Sequence, residues 1–137
     1  MGKPFGYSYL LDMYGCIPGS CDNLEVIYRM LERLPAEIDM EIFSPPLLIH
    51  GPTTFSRLPD GTLDRKEDYE DKTGVSGVIF LITSSIVLHT IEPKNFATID
   101  CYSCNCFDPK IVHRVCQECF GFTSCDEQFL ERGKDYK

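Results

Sequence analysis

Apolar residues along this chain recur with two periods, and the switches between them lay out its elements. From Gly6 to Tyr14 (GYSYLLDMY) they alternate imperfectly, which predicts a first strand covered on one face and partly on the other. A loop broken by Pro18 and Gly19 follows. From Asn23 to Leu34 the steps become three and four: Leu24, Ile27, Leu31 and Leu34 form one stripe of a helix. A capping-box-like Asp22 and Glu25 start this helix and Pro35 stops it. Ile38 to Ile49 alternates again, with Ile38, Met40 and Ile42 set against Asp39 and Glu41, and Pro45 and Pro46 confine this strand to an edge.

The stretch 50–73 is the most polar, and around its Pro59-Asp60-Gly61 turn we expect an exposed, mobile loop. Then comes GVSGVIFLITSSIVLHTIEPKNFATIDCYSC, Gly74 to Cys104. Its apolar runs, Val78 to Ile82 and Ile86 to Leu88, are parted by Ser84-Ser85, and a third strand runs from Phe96 to Cys104. Hydroxyls between buried strands need a partner or a purpose. A second helix begins with Asp108 as N-cap and Pro109 as its first residue. Ile111, Val112, Val115, Cys116, Cys119 and Phe120 form its buried face, and Gly121 ends it. The tail to Lys137 reads as polar. This order predicts an α+β two-layer sandwich, a mostly antiparallel sheet with two helices on one face.

At 137 residues the chain reads as a single domain spanning 1–137. A net charge of −8 argues against nucleic acid or an anionic membrane as partner and suits a cationic small molecule. No apolar run approaches a membrane span and the start shows no signal-peptide pattern, so the cytoplasm is the expected compartment. There the eight cysteines are thiols, ligands or catalysts before they are disulfides.

Two chemistries compete for those cysteines. Cys101-x-x-Cys104 and Cys116-x-x-Cys119 have the pair spacing of a zinc site, with Cys106, Cys125 and His113 as further donors. Placement argues against it. Cys101 and Cys104 lie an odd number of residues apart on a strand, no glycine turn separates them, and Cys116 and Cys119 fit an apolar helix face. No metal is therefore assigned.

The alternative centres on Ser84, His89 and Cys104. GVSG (Gly74 to Gly77), SS-x-x-x-HT (Ser84 to Thr90) and FATIDCYSC (Phe96 to Cys104), with LDMYGC (Leu11 to Cys16) and Glu131-Arg132-Gly133, resemble the bacterial and archaeal S-adenosylmethionine decarboxylases, pyruvoyl enzymes of polyamine synthesis. The resemblance implies that the Ser84 hydroxyl attacks the Thr83 carbonyl and that the chain is cut between Thr83 and Ser84. Ser84 thereby becomes a pyruvoyl group, which holds the substrate amine as a Schiff base and takes up the electrons released with carbon dioxide. By the same resemblance Ser76 and His89 assist the rearrangement, Cys104 returns a proton to the product, and the enzyme is a homodimer of processed protomers. Ser84 and His89 flank a short strand with Cys104 on the next, so cross-strand pairing is expected to gather them.

The chain departs from the family pattern at three points. Thr83 stands where the family has glutamate, and Ser85 stands where it has histidine and offers a second hydroxyl. At the aromatic position that stacks on adenine the chain has Glu70, with Tyr69 beside it, and these are the candidate substrate-binding residues. Carboxylates there suit a guanidinium or ammonium group, so an arginine or ornithine decarboxylase is the rival reading. An unprocessed, non-catalytic homologue and a zinc-binding module are the remaining alternatives.

Overall fold

The alternation in GYSYLLDMY is realised as β1, Gly6–Tyr14, in a computed structural model that describes residues 2–51, 54–66 and 73–136. Tyr9, Leu11 and Met13 point into the core, while Leu10 and Asp12 are half-buried on the opposite face. Chain order then gives α1 (Leu24–Glu37), β2 (Leu47–Gly51), β3 (Thr54–Arg57), β4 (Leu63–Lys66), β5 (Gly74–Leu81), β6 (Ser84–Ile91), β7 (Phe96–Ser103), α2 (Pro109–Phe120) and β8 (Ser124–Arg132). Six strands form one antiparallel sheet in the order β2-β5-β6-β7-β1-β8, and β3 pairs with β4 separately. Both helices lie over one face, so the architecture is the expected α+β sandwich.

The core fills the space between that face and the helices. Ile27, Met30, Leu31 and Leu34 of α1 and Val112, Val115, Cys116 and Phe120 of α2 meet Val75, Ile79, Ile86, Leu88, Ile99 and Cys101 of the sheet. Arg33 reaches Glu118 (2.7 Å) and Arg114 reaches Glu37 (3.1 Å) across the two helices, half-exposed pairs that fix their register more than they add stability.

Five expectations are corrected. Asn23, not Asp22, caps α1, its side chain accepting from Val26 N–H, and Leu24 is exposed. The helix runs through Pro35 to Glu37, because proline already has a helical φ and only the bond to Leu31 is forgone. Its end closes through Ile38 and Met40 N–H on the Pro35 carbonyl. The strand expected over 38–49 is confined to Leu47–Gly51, with an isolated bridge from Ile42 to Leu81, while Ile38 and Met40 are buried without joining the sheet. The polar loop contains the β3–β4 hairpin, turned at Pro59-Asp60-Gly61. The polar tail is β8, an edge strand along the full length of β1.

Candidate active site

The β5–β6 hairpin pairs Leu81 with Ser84 and leaves Ile82 and Thr83 to turn the chain. Its two-residue turn forces Thr83 to φ 50°, the left-handed region that a β-branched residue enters only under strain. The peptide after that strained residue is Thr83–Ser84. Ser84 opens β6 with its side chain on the helix-covered face, 6% exposed, and Ser84 Oγ accepts the Cys104 N–H at 3.0 Å. Thr83 Oγ1 lies 2.8 Å from the Ile82 carbonyl and 2.9 Å from Cys104 Sγ. Thr83, Ser84 and Cys104 therefore form one cluster at the turn end of β6, with Cys104 just beyond β7.

Ser76 and His89 form a second cluster. They are direct cross-strand partners on β5 and β6, and Ser76 Oγ lies 2.8 Å from His89 Nδ1 on the open face of the sheet. The two clusters do not meet within one chain, which corrects the expectation that cross-strand pairing gathers them. Ser84 and His89 are an odd step apart and point to opposite faces, separated by about 16 Å at roughly 3.3 Å per residue.

The signature residues around them have structural reasons. An added Cβ on Gly74 would overlap the Thr90 carbonyl, and one on Gly77 would overlap Leu48 and crowd Leu31. Both glycines let β5 lie close to its neighbours, which holds Ser76 opposite His89. Thr90 is buried, accepts the Val75 N–H and donates to the Cys21 carbonyl, locking β5 to β6 beside that pair. Ser85 faces away from Ser84, between Phe80 and Tyr102. Tyr69 and Glu70, with the charged stretch around them, lie outside the described residues.

The paired CxxC motifs are not assembled. Cys101 and Cys119 are core thiols that burial pushes up to about 12, and burial likewise raises Cys116. Among the described residues the group with metal-ligand geometry is His113, Cys125 and Glu127. The sequence offers His113 and Cys125 as further donors but not Glu127, because the mostly exposed side chains of β8 carry no strand pattern. Two concave surfaces flank β8. One of about 460 Å³ includes Tyr9, His113 and Glu127, and one of about 550 Å³ lies over Leu10, Asp12, Asp100 and Asp126; neither touches Ser84. No helix among the described residues is long and apolar enough to cross a membrane.

Comparison with known proteins agrees with this frame. The family model described as S-adenosylmethionine decarboxylase matches residues 7–133. An S-adenosylmethionine decarboxylase proenzyme of Clostridium botulinum (strain Hall) is 26% identical over 133 residues, 96% of this chain and 97% of its own. One of Geobacillus kaustophilus is 35% identical over 60 residues, 44% of this chain and 48% of its own. The crystal structure of the adenosylmethionine decarboxylase from Aquifex aeolicus VF5 is similar in fold, with a TM-score of 0.65 at 24% identity, covering 96% of this chain and 93% of that one. With a match that runs from β1 to the residue after β8, the chain belongs to the S-adenosylmethionine decarboxylase family.

Proposed function

We propose that this S-adenosylmethionine decarboxylase makes its own catalytic ketone by cutting the chain between Thr83 and Ser84. The observation that carries the reading is the left-handed backbone at Thr83, immediately before a serine whose hydroxyl is anchored by the Cys104 amide. Attack of Ser84 Oγ on the Thr83 carbonyl carbon closes a five-membered ring, and breaking the C–N bond converts the amide to an ester. Release of the turn from φ 50° lowers the cost of that exchange, on the order of 1–3 kcal/mol. Elimination then takes the Ser84 Cα proton to a base as the Cβ–Oγ bond breaks, leaving Thr83 with a carboxylate and a dehydroalanine at the start of the second piece. The Cys104 N–H already on that oxygen stabilises the charge it acquires. Water enters and ammonia leaves, and the new end of the second piece is a pyruvoyl group.

When formed, that group supplies an electron sink for the loss of carbon dioxide. The chain's own residues do the rest. Cys104 Sγ, beside the cut at Thr83, is placed to return a proton to the product carbon. His89, with Nδ1 against Ser76 Oγ, is the base whose orientation is fixed.

The His89 pair is supplied by a second copy in this reading. A two-fold axis between two facing sheets, perpendicular to β6, lays the His89 end of one protomer over the Ser84 end of the other. The open face suits such packing, since Leu47, Ile49 and Phe80 lie exposed on it. The site is then a homodimer's, the substrate S-adenosylmethionine and the compartment the cytoplasm.

Carbon dioxide release from labelled S-adenosylmethionine tests this. Ser84→Ala and His89→Ala chains are each expected to be inactive, and co-expressed together they regain activity, because one site of the mixed dimer keeps both groups. Activity of the wild type without recovery in the mixture would place the site within one chain. Turnover of arginine or ornithine with none of S-adenosylmethionine would transfer the reading to a basic amino acid, held by Tyr69 and Glu70.

A further inference from the structure

β8 carries chemistry that the decarboxylase reading does not use. Its alternation puts Cys125 and Glu127 on one face, opposite Met13 and Leu11 of β1 and towards α2. His113 of α2 meets them there. His113 Nε2 lies 3.7 Å from Cys125 Sγ, and the imidazole, thiol and carboxylate atoms all fall within 4.8 Å of one another. We propose that His113, Cys125 and Glu127 form a binding site for a divalent metal ion of the zinc class, clipping the edge strand β8 to α2.

The distances fit such an ion. Zinc–sulfur and zinc–nitrogen bonds of about 2.3 and 2.0 Å at a tetrahedral angle set sulfur and nitrogen about 3.5 Å apart. The observed 3.7 Å needs almost no movement. Glu127 is already oriented, because the buried Tyr9 hydroxyl donates to one of its carboxylate oxygens at 2.5 Å and leaves the other for the ion. The Phe122 and His113 rings pack in a T-shape that restrains the imidazole's rotation (centroids 5.2 Å apart, 82° between planes).

The donor set of one imidazole, one thiolate and one carboxylate matches a borderline-soft ion and does not suit magnesium or calcium. Its two negative charges balance a divalent cation. The fourth ligand is a water, for the cavity of about 460 Å³ beside Tyr9, Pro109, Lys110, His113, Glu127 and Phe129 opens onto the site. Three protein ligands and a water make this a clip added to a folded sandwich, unlike a closed four-ligand site on which folding depends.

The test is cobalt(II) titration of the full-length protein after chelation, since a thiolate–cobalt bond gives a near-ultraviolet charge-transfer band and tetrahedral geometry gives intense visible bands. One equivalent per chain is expected to produce both. Cys125→Ser abolishes the charge-transfer band, while Tyr9→Phe weakens binding by about 10–100-fold through loss of the carboxylate's anchor. Cys106→Ser, at an exposed thiol outside the site, leaves binding unchanged. If Cys125→Ser does not fold, His113→Gln on the helix surface reads the same contact. Absence of a stoichiometric band in the wild type would overturn the proposal and leave a thiol–imidazole contact. Survival of the band in Cys125→Ser and His113→Gln would also overturn it, by placing the metal on other thiols.

Discussion

Thr83 holds the backbone strain beside the proposed cut. Among the described residues, Asp39, Thr83 and Asn95 are the non-glycines with positive φ. Aspartate and asparagine tolerate that region, whereas threonine's branched Cβ does not. The strain therefore sits at the one position whose next peptide bond the family reading requires to break. The structure also separates the two neighbouring hydroxyls, since Ser84 is anchored by Cys104 and Ser85 points to the other face. In an uncleavable Ser84→Ala background, Thr83→Asn is expected to raise stability by about 1 kcal/mol by accepting the left-handed turn. The urea midpoint measures this, and a fall would mean that the turn is not under strain. With Ser84 restored, the same change should slow cutting.

At the scale of elements, the close packing of β5 sets the geometry of the Ser76–His89 pair. Gly74→Ala is expected to cost about 1–3 kcal/mol, because the new methyl would collide with the Thr90 backbone rather than with a flexible side chain. Urea unfolding of the uncut protein would measure the loss, and a neutral result would show that the strands adjust. β1, the β5–β7 meander and α2 were legible in the sequence because each couples an apolar run or stripe to a recognisable boundary, as with Asp108, Pro109 and Gly121 around α2. β8 was not legible, because an edge strand with mostly exposed side chains carries almost no hydrophobic alternation. Residues 38–46 misled for the opposite reason: Ile38 and Met40 alternate and are buried, yet they fill the core from a coil. The separation of Ser84 from His89 was legible in principle, since a five-residue step along a strand always changes face. That their cluster mates are Cys104 and Ser76 needed the register.

For the whole molecule, the helix-side core and the open sheet face do different work. The core keeps several thiols away from water, and this has a pH signature. Cys101 ionises near 9 when exposed but is pushed to about 12 by burial. Its contribution is fully present below pH 9 and is lost as pH rises towards 12, because only the unfolded chain ionises freely in that window. Wild-type stability should therefore fall through this range more steeply than that of Cys101→Ala, by about 2–3 kcal/mol at roughly pH 11. Parallel falls in the two urea series would show that Cys101 is not the group responsible.

The open face is where two copies meet in the proposed dimer, laying His89 of one over the Thr83–Ser84 turn of the other. That assembly matters only if the chain is cut where the strain lies. Denaturing mass spectrometry of the purified protein is the most direct measurement. The account predicts two pieces, residues 1–83 and 84–137, the second lighter by one ammonia than a serine-ended peptide and reactive toward a carbonyl reagent. A single uncut chain of 137 residues, or a second piece that ends in an ordinary serine amine, would contradict it.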